Sequence, residues 1–354
     1  MKKPKALKVG AFTVGEGHPV FIMAEAGVNH NGSVALAKKL VDAAKAAGAD
    51  AVKFQNFTAE EVTTKDAGMA AYQKRNTGKS QSQIDMIRKF ELPRKAFTEI
   101  AAHCKKRGIM FLSTPHSGFD SVDVLQKLKV PAYKFGSADL NNLPVLEYAA
   151  RFKKPMLIST GMAQMHDIQE AVACIREAGN NNILVFQCTT DYPVKSKDAN
   201  LRAMQTIRDA FGVVVGYSDH TTGADASVIA VALGASMLEK HLTLDNDMEG
   251  PDHKASANPK DFKAYVKAIR NAEVLLGSAK KTIAASSVQY IPLVLKSVVA
   301  RGSIQKGELL TKRNLAIKRP QGGLAPKFYW DMLGKHATRD MKADEFIRKN
   351  DYKK

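Results

Sequence analysis

The sequence predicts an α/β protein in which a (β/α)8 TIM barrel is followed by a smaller mixed α/β module. Eight apolar, strand-like runs alternate with eight helical segments over about 260 residues, which is the count and the length typical of this barrel. The units are evenly spaced, and no Gly-x-Gly-x-x-Gly motif follows the first strand, so a doubly wound open sheet is disfavoured. After Gly277 the pattern changes to short strand-like pieces separated by glycine turns.

The predicted strands are short runs of β-branched, aliphatic and aromatic residues, as expected of buried parallel strands. They cover residues 19–27, 50–55, 109–115, 132–137, 155–160, 182–189, 213–220 and 236–243. The helices have apolar residues at helical spacing and cover residues 33–47, 94–107, 118–128, 143–152, 166–178, 199–210, 222–233 and 259–276. The first helix illustrates the signals used, since it begins at the N-cap residue Ser33 and stops at Gly48.

The domain organisation follows from this repeat and from the stretches outside it. We predict a catalytic barrel domain over 1–277, a linker over 278–292 and a second domain over 293–354. Within the barrel, residues 58–92 are polar and far longer than a minimal βα loop. Long insertions on the catalytic face of such barrels commonly shape a substrate pocket, and we expect the same here.

Composition narrows the class of protein. The net charge is +18, and residues 285–354 hold 15 Lys and Arg against 6 Asp and Glu. A basic chain suits an anionic substrate or a nucleic acid, although a solvated basic face is the plainer interpretation. Three cysteines without CxxC spacing predict reduced thiols. No apolar run has the length of a membrane span and no signal peptide is visible, so we expect a cytoplasmic protein with no membrane partner.

Polar side chains end every predicted strand. The carboxyl ends of the strands form the active face of a TIM barrel, so these side chains are expected to converge there. A single Ser or Thr at such a place is usually a turn or capping residue. Together the hydroxyls and two lysines predict a site for a small, multiply anionic substrate; they are Ser113, Thr114, Ser137, Ser159, Thr160, Ser218, Lys53 and Lys134.

Two histidines, His220 and His241, end the seventh and eighth predicted strands. A lone histidine in a strand is more often a core residue. A pair on adjacent strand ends favours a divalent metal site, the more so beside the acidic residues Glu25, Asp219, Glu239 and Asp252. Imidazole and oxygen ligands with open positions suit Mn²⁺, Fe²⁺ or Zn²⁺ better than Ca²⁺.

Nine motifs, in order along nearly the whole chain, resemble the bacterial sialic acid (nonulosonic acid) synthase family, whose members make N-acetylneuraminate, legionaminate and pseudaminate. They are AEAGVNHNG (24–32), AVKFQ (51–55), FLSTP (111–115), AYKFGS (132–137), LISTGM (157–162), CTTDYP (188–193), GYSDHT (216–221), LEKHLTLD (238–245) and GPDHKAS (250–256). Residues 296–323 resemble the antifreeze-like SAF domain of that family.

The resemblance implies a reaction. Family members condense phosphoenolpyruvate with an open-chain N-acetylmannosamine-type sugar and water, and release phosphate by C–O cleavage. A divalent metal, Mn²⁺ foremost with Mg²⁺ or Co²⁺ as alternatives, would be held by His220 and His241. The positions that match the family's phosphoenolpyruvate contacts are Lys53, Thr114, Lys134, Ser137, Ser159, Thr190 and Ser218.

The resemblance also assigns the remaining roles. The catalytic candidates are Glu25, Asp139 and Asp252, with Glu25 the first candidate for proton transfer. Sugar contacts match Gln55, Asn76, Tyr192 and Arg319. In the family this arginine comes from the SAF domain of a second subunit, which implies a domain-swapped homodimer.

The sequence departs from the family pattern at several positions that bear on which acceptor sugar is bound. Asp139 stands where the family often has Glu, and Leu293 where some members have an aromatic residue. Thr190 and Gln187 differ in the same way from a frequent Asn or Ser and a frequent His. The acceptor is therefore left open between N-acetylmannosamine and 2,4-diacetamido-2,4,6-trideoxymannose, the precursor of N,N'-diacetyllegionaminate. The motifs at 24–32, 188–193 and 250–256 look nearer to the neuraminate and legionaminate branch than to the pseudaminate branch.

Two other functions are compatible with parts of this sequence. A related barrel aldolase could use Lys53 or Lys134 to form a Schiff base with a phosphosugar. A non-enzymatic protein could use its basic surface to bind nucleic acid or carbohydrate, but one Trp and 7% aromatic residues offer few stacking surfaces, so a nucleic-acid partner is not expected.

Overall fold

A computed structural model describes residues 4–78 and 82–353. The chain divides into two compact units, Met1–Gly277 and Ser278–Lys354. Each unit is described by itself below.

Among its described residues, the first unit contains ten strands. A short antiparallel hairpin comes first, and eight parallel strands follow. The strands are β1 (Leu7–Val9), β2 (Phe12–Val14), β3 (Phe21–Gly27), β4 (Ala51–Asn56), β5 (Met110–Pro115), β6 (Tyr133–Phe135), β7 (Met156–Ser159), β8 (Ile183–Cys188), β9 (Val214–Asp219) and β10 (Met237–His241). The parallel strands are ordered β5-β4-β3-β10-β9-β8-β7-β6, and the end strands β5 and β6 also contact each other. This nearly closed sheet confirms the predicted TIM barrel.

Helices surround these strands. They are α1 (Val34–Ala47), α2 (Ala59–Val62), α3 (Ala71–Thr77), α4 (Gln83–Arg88), α5 (Arg94–Arg107), α6 (Gly118–Lys127), α7 (Leu143–Ala150), α8 (Met165–Glu177), α9 (Ala203–Phe211), α10 (Asp225–Ala232) and α11 (Pro259–Leu276). The three short helices α2 to α4 lie in the long polar stretch 58–92. Short 3-10 turns cover Ser137–Asp139, Ser196–Asp198 and His253–Ala255. No helix of the described residues is both long and apolar enough to cross a membrane.

The core of this unit has two layers because side chains alternate between the two faces of each strand. One layer packs the outward-facing strand residues against the helices. The other fills the barrel near the amino ends of the strands, where Phe21, Ala51 and Met237 meet Leu7 and Val14 of the β1–β2 hairpin. The hairpin, which the sequence did not predict, therefore covers the amino end of the barrel and leaves the carboxyl end for a site.

The second unit is small and mixed. Its elements are α12 (Ala285–Val288), α13 (Ile291–Val294), β11 (Ser297–Ala300), β12 (Leu315–Lys318), α14 (Tyr329–Met332), β13 (His336–Ala337) and β14 (Tyr352–Lys353), with a 3-10 turn at Pro326–Phe328. Antiparallel pairs β11–β12 and β13–β14 enclose a core that includes Val298, Leu315 and Ile347. Helix α12 and the start of α13 lie in the segment predicted to be a linker.

Candidate active site

A cavity of about 210 Å³ lies at the carboxyl ends of the barrel strands. Twelve residues chosen from the sequence line it: Glu25, Lys53, Gln55, Thr114, Lys134, Ser137, Ser159, Thr190, Tyr192, Ser218, His220 and His241. Six further residues complete the lining: His116, Gly136, Ala138, Met162, Cys188 and Glu239. The convergence follows from strand alternation, which turns residues two apart, such as Glu239 and His241, to the same face.

Strand register places the ionisable groups side by side. His241 on β10 is paired with Glu25 on β3, and Glu25 is paired in turn with Lys53 on β4. Glu239 on β10 is paired with Ser218 on β9. Parallel strands with this register bring a carboxylate, an ammonium group and an imidazole to one level of the barrel.

Four buried charges form an alternating chain across the cavity. Lys53 Nζ lies 2.8 Å from Glu25 Oε2 and 3.4 Å from Glu239 Oε1. Glu239 Oε2 in turn lies 3.1 Å from Lys134 Nζ. All four side chains are nearly inaccessible to solvent. Pairing is what makes this burial tolerable, because an isolated buried charge would cost several kcal/mol.

The pKa values follow from burial and pairing. Burial alone would lower the pKa of Lys53, but Glu239 and Glu25 outweigh it and raise that pKa. Burial likewise opposes ionisation of Glu239, yet Lys134 and Lys53 hold its pKa at about 2. For Glu25 burial dominates over the attraction of Lys53, and its pKa is raised. Lys53 is thus a fixed cation, which suits anion binding and disfavours a Schiff-base amine. The raised pKa makes Glu25 a candidate to carry a proton.

Hydroxyl groups are hydrogen-bonded to the two lysines and add further polar atoms beside them. Lys53 Nζ donates to Thr114 Oγ1 at 2.9 Å, and Lys134 Nζ donates to Ser159 Oγ at 2.7 Å. Ser137 Oγ accepts from the Gly161 backbone N–H at 2.9 Å. Thr190 Oγ1 is buried without a hydrogen-bond partner among the described residues. A cradle of two cations and several hydroxyls is a suitable place for a phosphate and a carboxylate.

The two histidines face each other, with ring centres 5.4 Å apart. His220 Nδ1 donates to the Thr189 carbonyl at 2.8 Å, which orients the ring and, in the neutral form, leaves Nε2 as an acceptor. His241 Nδ1 is buried with no hydrogen-bond partner among the described residues. Burial and the neighbouring His220 lower the pKa of His241 well below its usual value, so its ring stays neutral. A neutral imidazole with an unused nitrogen fits a divalent cation.

Acidic groups near the histidines give only partial support for a metal. Asp252 Oδ2 lies 4.0 Å from His241 Nδ1, and burial together with Glu25 raises the pKa of Asp252 to about 6. Within residues 4–78 and 82–353, no cluster of three or more His, Cys, Asp or Glu has metal-binding geometry. The residues therefore fit a metal with two protein nitrogens and several open positions.

Four of the predicted residues do not line this cavity: the hydroxyl residues Ser113 and Thr160, and the catalytic candidates Asp139 and Asp252. Asp139 is turned toward His116, whose Nδ1 lies 2.9 Å from Asp139 Oδ2. Asn76 belongs to α3, and its side chain is outside what the structure describes. Arg319 is exposed and lies in the second unit, directly after β12. Their predicted roles stay predictions.

Sequence reasoning did not select three of the chemically active groups in the lining. The sequence pattern indicates only that Glu239 is an acidic neighbour of the histidines, and that Cys188 is a reduced thiol. Cys188 Sγ lies 3.9 Å from His220 Nδ1. His116 was overlooked, although it directly follows Pro115 at the end of β5. Extending the strand-end rule by one residue would have found it.

The fold and the cavity define a TIM-barrel enzyme whose candidate active site combines buried lysines and hydroxyl groups with a histidine pair. The chain belongs to the NeuB family: the family model matches residues 40–281, and the SAF domain model matches residues 296–353. It is accordingly a sialic acid or legionaminic acid synthase-type enzyme, of the class that joins phosphoenolpyruvate to a sugar.

Characterised relatives span nearly its full length. The N,N'-diacetyllegionaminic acid synthase of Campylobacter jejuni is 46% identical over 329 residues, covering 92% of this chain and 98% of the relative. The N-acetylneuraminate-9-phosphate synthase of Mus musculus is 36% identical, covering 94% and 93%. Among solved structures, the N-acetylneuraminic acid synthetase of Leptospira borgpetersenii has a TM-score of 0.73 at 31% identity, covering 81% of this chain and 95% of that one.

Proposed function

We propose that this enzyme condenses phosphoenolpyruvate with 2,4-diacetamido-2,4,6-trideoxymannose and water to give N,N'-diacetyllegionaminate and phosphate. The acceptor is supported by identity, which is 46% with the legionaminic acid synthase of Campylobacter jejuni and 40% with that of Legionella pneumophila. N-acetylmannosamine is the competing acceptor, favoured by likeness to the Leptospira synthetase.

The observation that carries the proposal is the chain of buried charges around Lys53 and Lys134. Phosphoenolpyruvate has a phosphate and a carboxylate, and each lysine with its hydroxyl neighbour can hold one of them. Both lysines contact Glu239, which holds the two ammonium groups at the same cavity. Low solvent access strengthens these contacts and keeps water from competing for the donors.

A divalent cation, Mn²⁺ foremost, would be held by His220 and His241. When bound, it supplies Lewis-acid polarisation of the sugar carbonyl. The chain itself contributes orientation: Tyr192 lies over His220 with ring centres 4.2 Å apart. Gln55 Nε2 donates to Glu25 Oε1 at 3.1 Å and holds that carboxyl in place.

Glu25 is proposed to move the protons of the reaction. Condensation forms a C–C bond between C3 of phosphoenolpyruvate and the sugar aldehyde carbon, and the aldehyde oxygen must then gain a proton. Addition of water at C2 releases a proton, and expulsion of phosphate breaks the bond between C2 and the bridging oxygen. A buried carboxyl group with a raised pKa, next to a fixed ammonium group, is suited to accept and return a proton.

The second unit is proposed to complete the site in a homodimer. Apolar side chains in and beside the linker are well exposed in one copy, including Tyr290 at 55% and Leu293 at 64%. Exposed apolar groups of this size favour burial against a second chain. We expect Arg319 of a second copy to bind the sugar.

Mixing inactive variants tests this sharing of sites. If each active site contains residues from two subunits, Arg319→Ala and His241→Ala subunits can complement each other. After the two variants are mixed and their subunits exchange, up to about a quarter of wild-type activity should return, because some sites then contain both native residues. A mixture as inactive as its components, with exchange confirmed by native mass spectrometry, contradicts the shared site.

A competition assay tests the acceptor. Purified enzyme receives phosphoenolpyruvate, Mn²⁺ and equal amounts of the two sugars, and the product is identified by mass. Excess diacetylated nonulosonic acid is expected. N-acetylneuraminate as the main product would replace the proposed acceptor by N-acetylmannosamine. Failure of both sugars would contradict the proposed reaction.

A further inference from the structure

His116 lines the cavity, and its Nδ1 is hydrogen-bonded to Asp139. Nδ1 lies 2.9 Å from Asp139 Oδ2 and 3.2 Å from Asp139 Oδ1. Asp139 Oδ2 also accepts from the Gly136 backbone N–H at 3.1 Å. The Asp139 carboxylate is thus occupied by His116 and the backbone, and His116 is the member of the pair that lines the cavity.

The carboxylate fixes the tautomer of the ring. Since it can only accept, the proton of a neutral imidazole lies on Nδ1, and Nε2 is left as an acceptor. No hydrogen bond to His116 Nε2 is found within the described parts of the chain. The side chains of His116 and Asp139 are 20% and 14% exposed, so the pair is sheltered but reachable from the cavity.

Two apolar groups, Ala138 and Met162, line the same cavity. An acceptor nitrogen together with apolar surface matches an N-acyl group, which combines an N–H donor with a methyl group. A sugar hydroxyl would use the nitrogen but would gain nothing from the apolar surface.

We propose that His116, positioned by Asp139, recognises the second N-acyl group of the acceptor sugar and so distinguishes a diacetamido sugar from a monoacetamido sugar. This inference rests on the proposed synthase reaction. It makes Asp139, which the sequence resemblance puts among the catalytic candidates, a positioning residue for His116.

The variants His116→Ala and Asp139→Asn separate recognition from structure. In Asp139→Asn the amide oxygen can still accept from Gly136, but the amide N–H faces His116 Nδ1. The ring proton is then driven to Nε2, which turns the acceptor into a donor. The matched control is His166→Ala on α8, where the histidine side chain is 68% exposed and outside the cavity.

The experiment measures kcat/KM for each sugar, KM for phosphoenolpyruvate and thermal unfolding for all four proteins. We expect wild type and the control to prefer the diacetamido sugar. Both cavity variants should reduce this preference about tenfold, the equivalent of one hydrogen bond, with KM for phosphoenolpyruvate changed less than twofold.

Three results would overturn the inference. One is an unchanged preference for the diacetamido sugar in folded His116→Ala and Asp139→Asn. Another is a rise in KM for phosphoenolpyruvate as large as the loss of sugar preference. The third is a wild type that prefers the monoacetamido sugar, which would leave the synthase reaction intact. A wild type that releases no phosphate with either sugar would overturn the proposed function and this inference together.

Discussion

Lys240 Nζ lies 3.1 Å from Asp219 Oδ2, and each of these residues directly precedes one of the two cavity histidines. Strand alternation turns the ion pair outward, where it is buried, while His220 and His241 point inward. Lys240 also donates to the Thr221 carbonyl at 2.8 Å. The pair therefore fixes the ends of β9 and β10 relative to each other, and with them the spacing of the histidines.

Replacing Lys240 by Met should disturb both stability and the histidine pair. A buried Asp219 without its cation is expected to cost about 3 kcal/mol of unfolding free energy. Affinity for Mn²⁺, followed by titration calorimetry, should fall about tenfold because the histidines lose their common support. The double variant Asp219→Asn/Lys240→Met removes both charges and should regain part of the stability. Unchanged Mn²⁺ affinity in Lys240→Met would show that the ion pair does not position the site.

The histidines themselves give a binding prediction that does not depend on activity. His220→Ala and His241→Ala should each weaken Mn²⁺ binding at least about a hundredfold, as expected when one of two protein ligands is lost. The electron paramagnetic resonance signal of free Mn²⁺ measures this directly, and His166→Ala serves as the control. Wild-type affinity in either variant would exclude a metal at this pair.

Gly161 should tolerate no side chain. A Cβ atom there would overlap Thr190 Oγ1 and would lie 2.8 Å from Ser137 Oγ. Gly161→Ala is therefore expected to displace two predicted phosphoenolpyruvate contacts and to raise KM for phosphoenolpyruvate about tenfold or more. Gly302→Ala is the control, because a Cβ there meets nothing within 4 Å. If KM for phosphoenolpyruvate stays unchanged, these hydroxyls do not bind it.

Two buried histidines predict how stability depends on pH. Burial lowers the pKa of His30 and His253 to about 4, with His253 adding to the effect at His30. The unfolded chain takes up these protons near pH 6.5 and the folded chain does not, so their contribution to stability is full above pH 6.5 and is lost as pH falls toward 4. Between these pH values, each histidine adds up to about 1.4 kcal/mol per pH unit to the decline in the free energy of unfolding.

Unfolding in urea at pH 7 and pH 5 checks this slope. His253 Nδ1 is paired with Thr243 Oγ1 at 2.6 Å and its Nε2 with Asn31 Oδ1 at 3.1 Å, so Gln is a polar replacement that does not titrate. His253→Gln should lose less stability than wild type between the two pH values, while His166→Ala should behave as wild type. Equal losses in wild type and His253→Gln would rule out the buried histidine as a cause.

Much of the fold was predictable because it depends on local pattern. The eight strands have continuous apolar runs, and the convergence of His220 and His241 follows from parallel strands that are neighbours in sequence. The β1–β2 hairpin was not predicted, since three-residue strands have too short a pattern to stand out. Its role at the amino end of the barrel depends on packing with residues from several distant strands.

The pairing of side chains within the site was less predictable. Sequence placed Lys53, Lys134 and Glu239 at strand ends, but β6 and β10 are not neighbours in the sheet, so the contact between Lys134 and Glu239 depends on how the barrel closes. His116 and Asp139 likewise meet across a gap of 23 residues that no periodicity links. Strand rules predict which residues face the site and do not predict which of them pair.

The central claim, condensation with cleavage of the C–O bond of phosphoenolpyruvate, is tested most directly with substrate that carries ¹⁸O in the bridging position. Enzyme, Mn²⁺ and the diacetamido sugar are added, and the released phosphate is analysed by mass. The account predicts phosphate that retains the ¹⁸O label, in amounts equal to the nonulosonic acid formed. Unlabelled phosphate, or phosphate released without the sugar product, would contradict it.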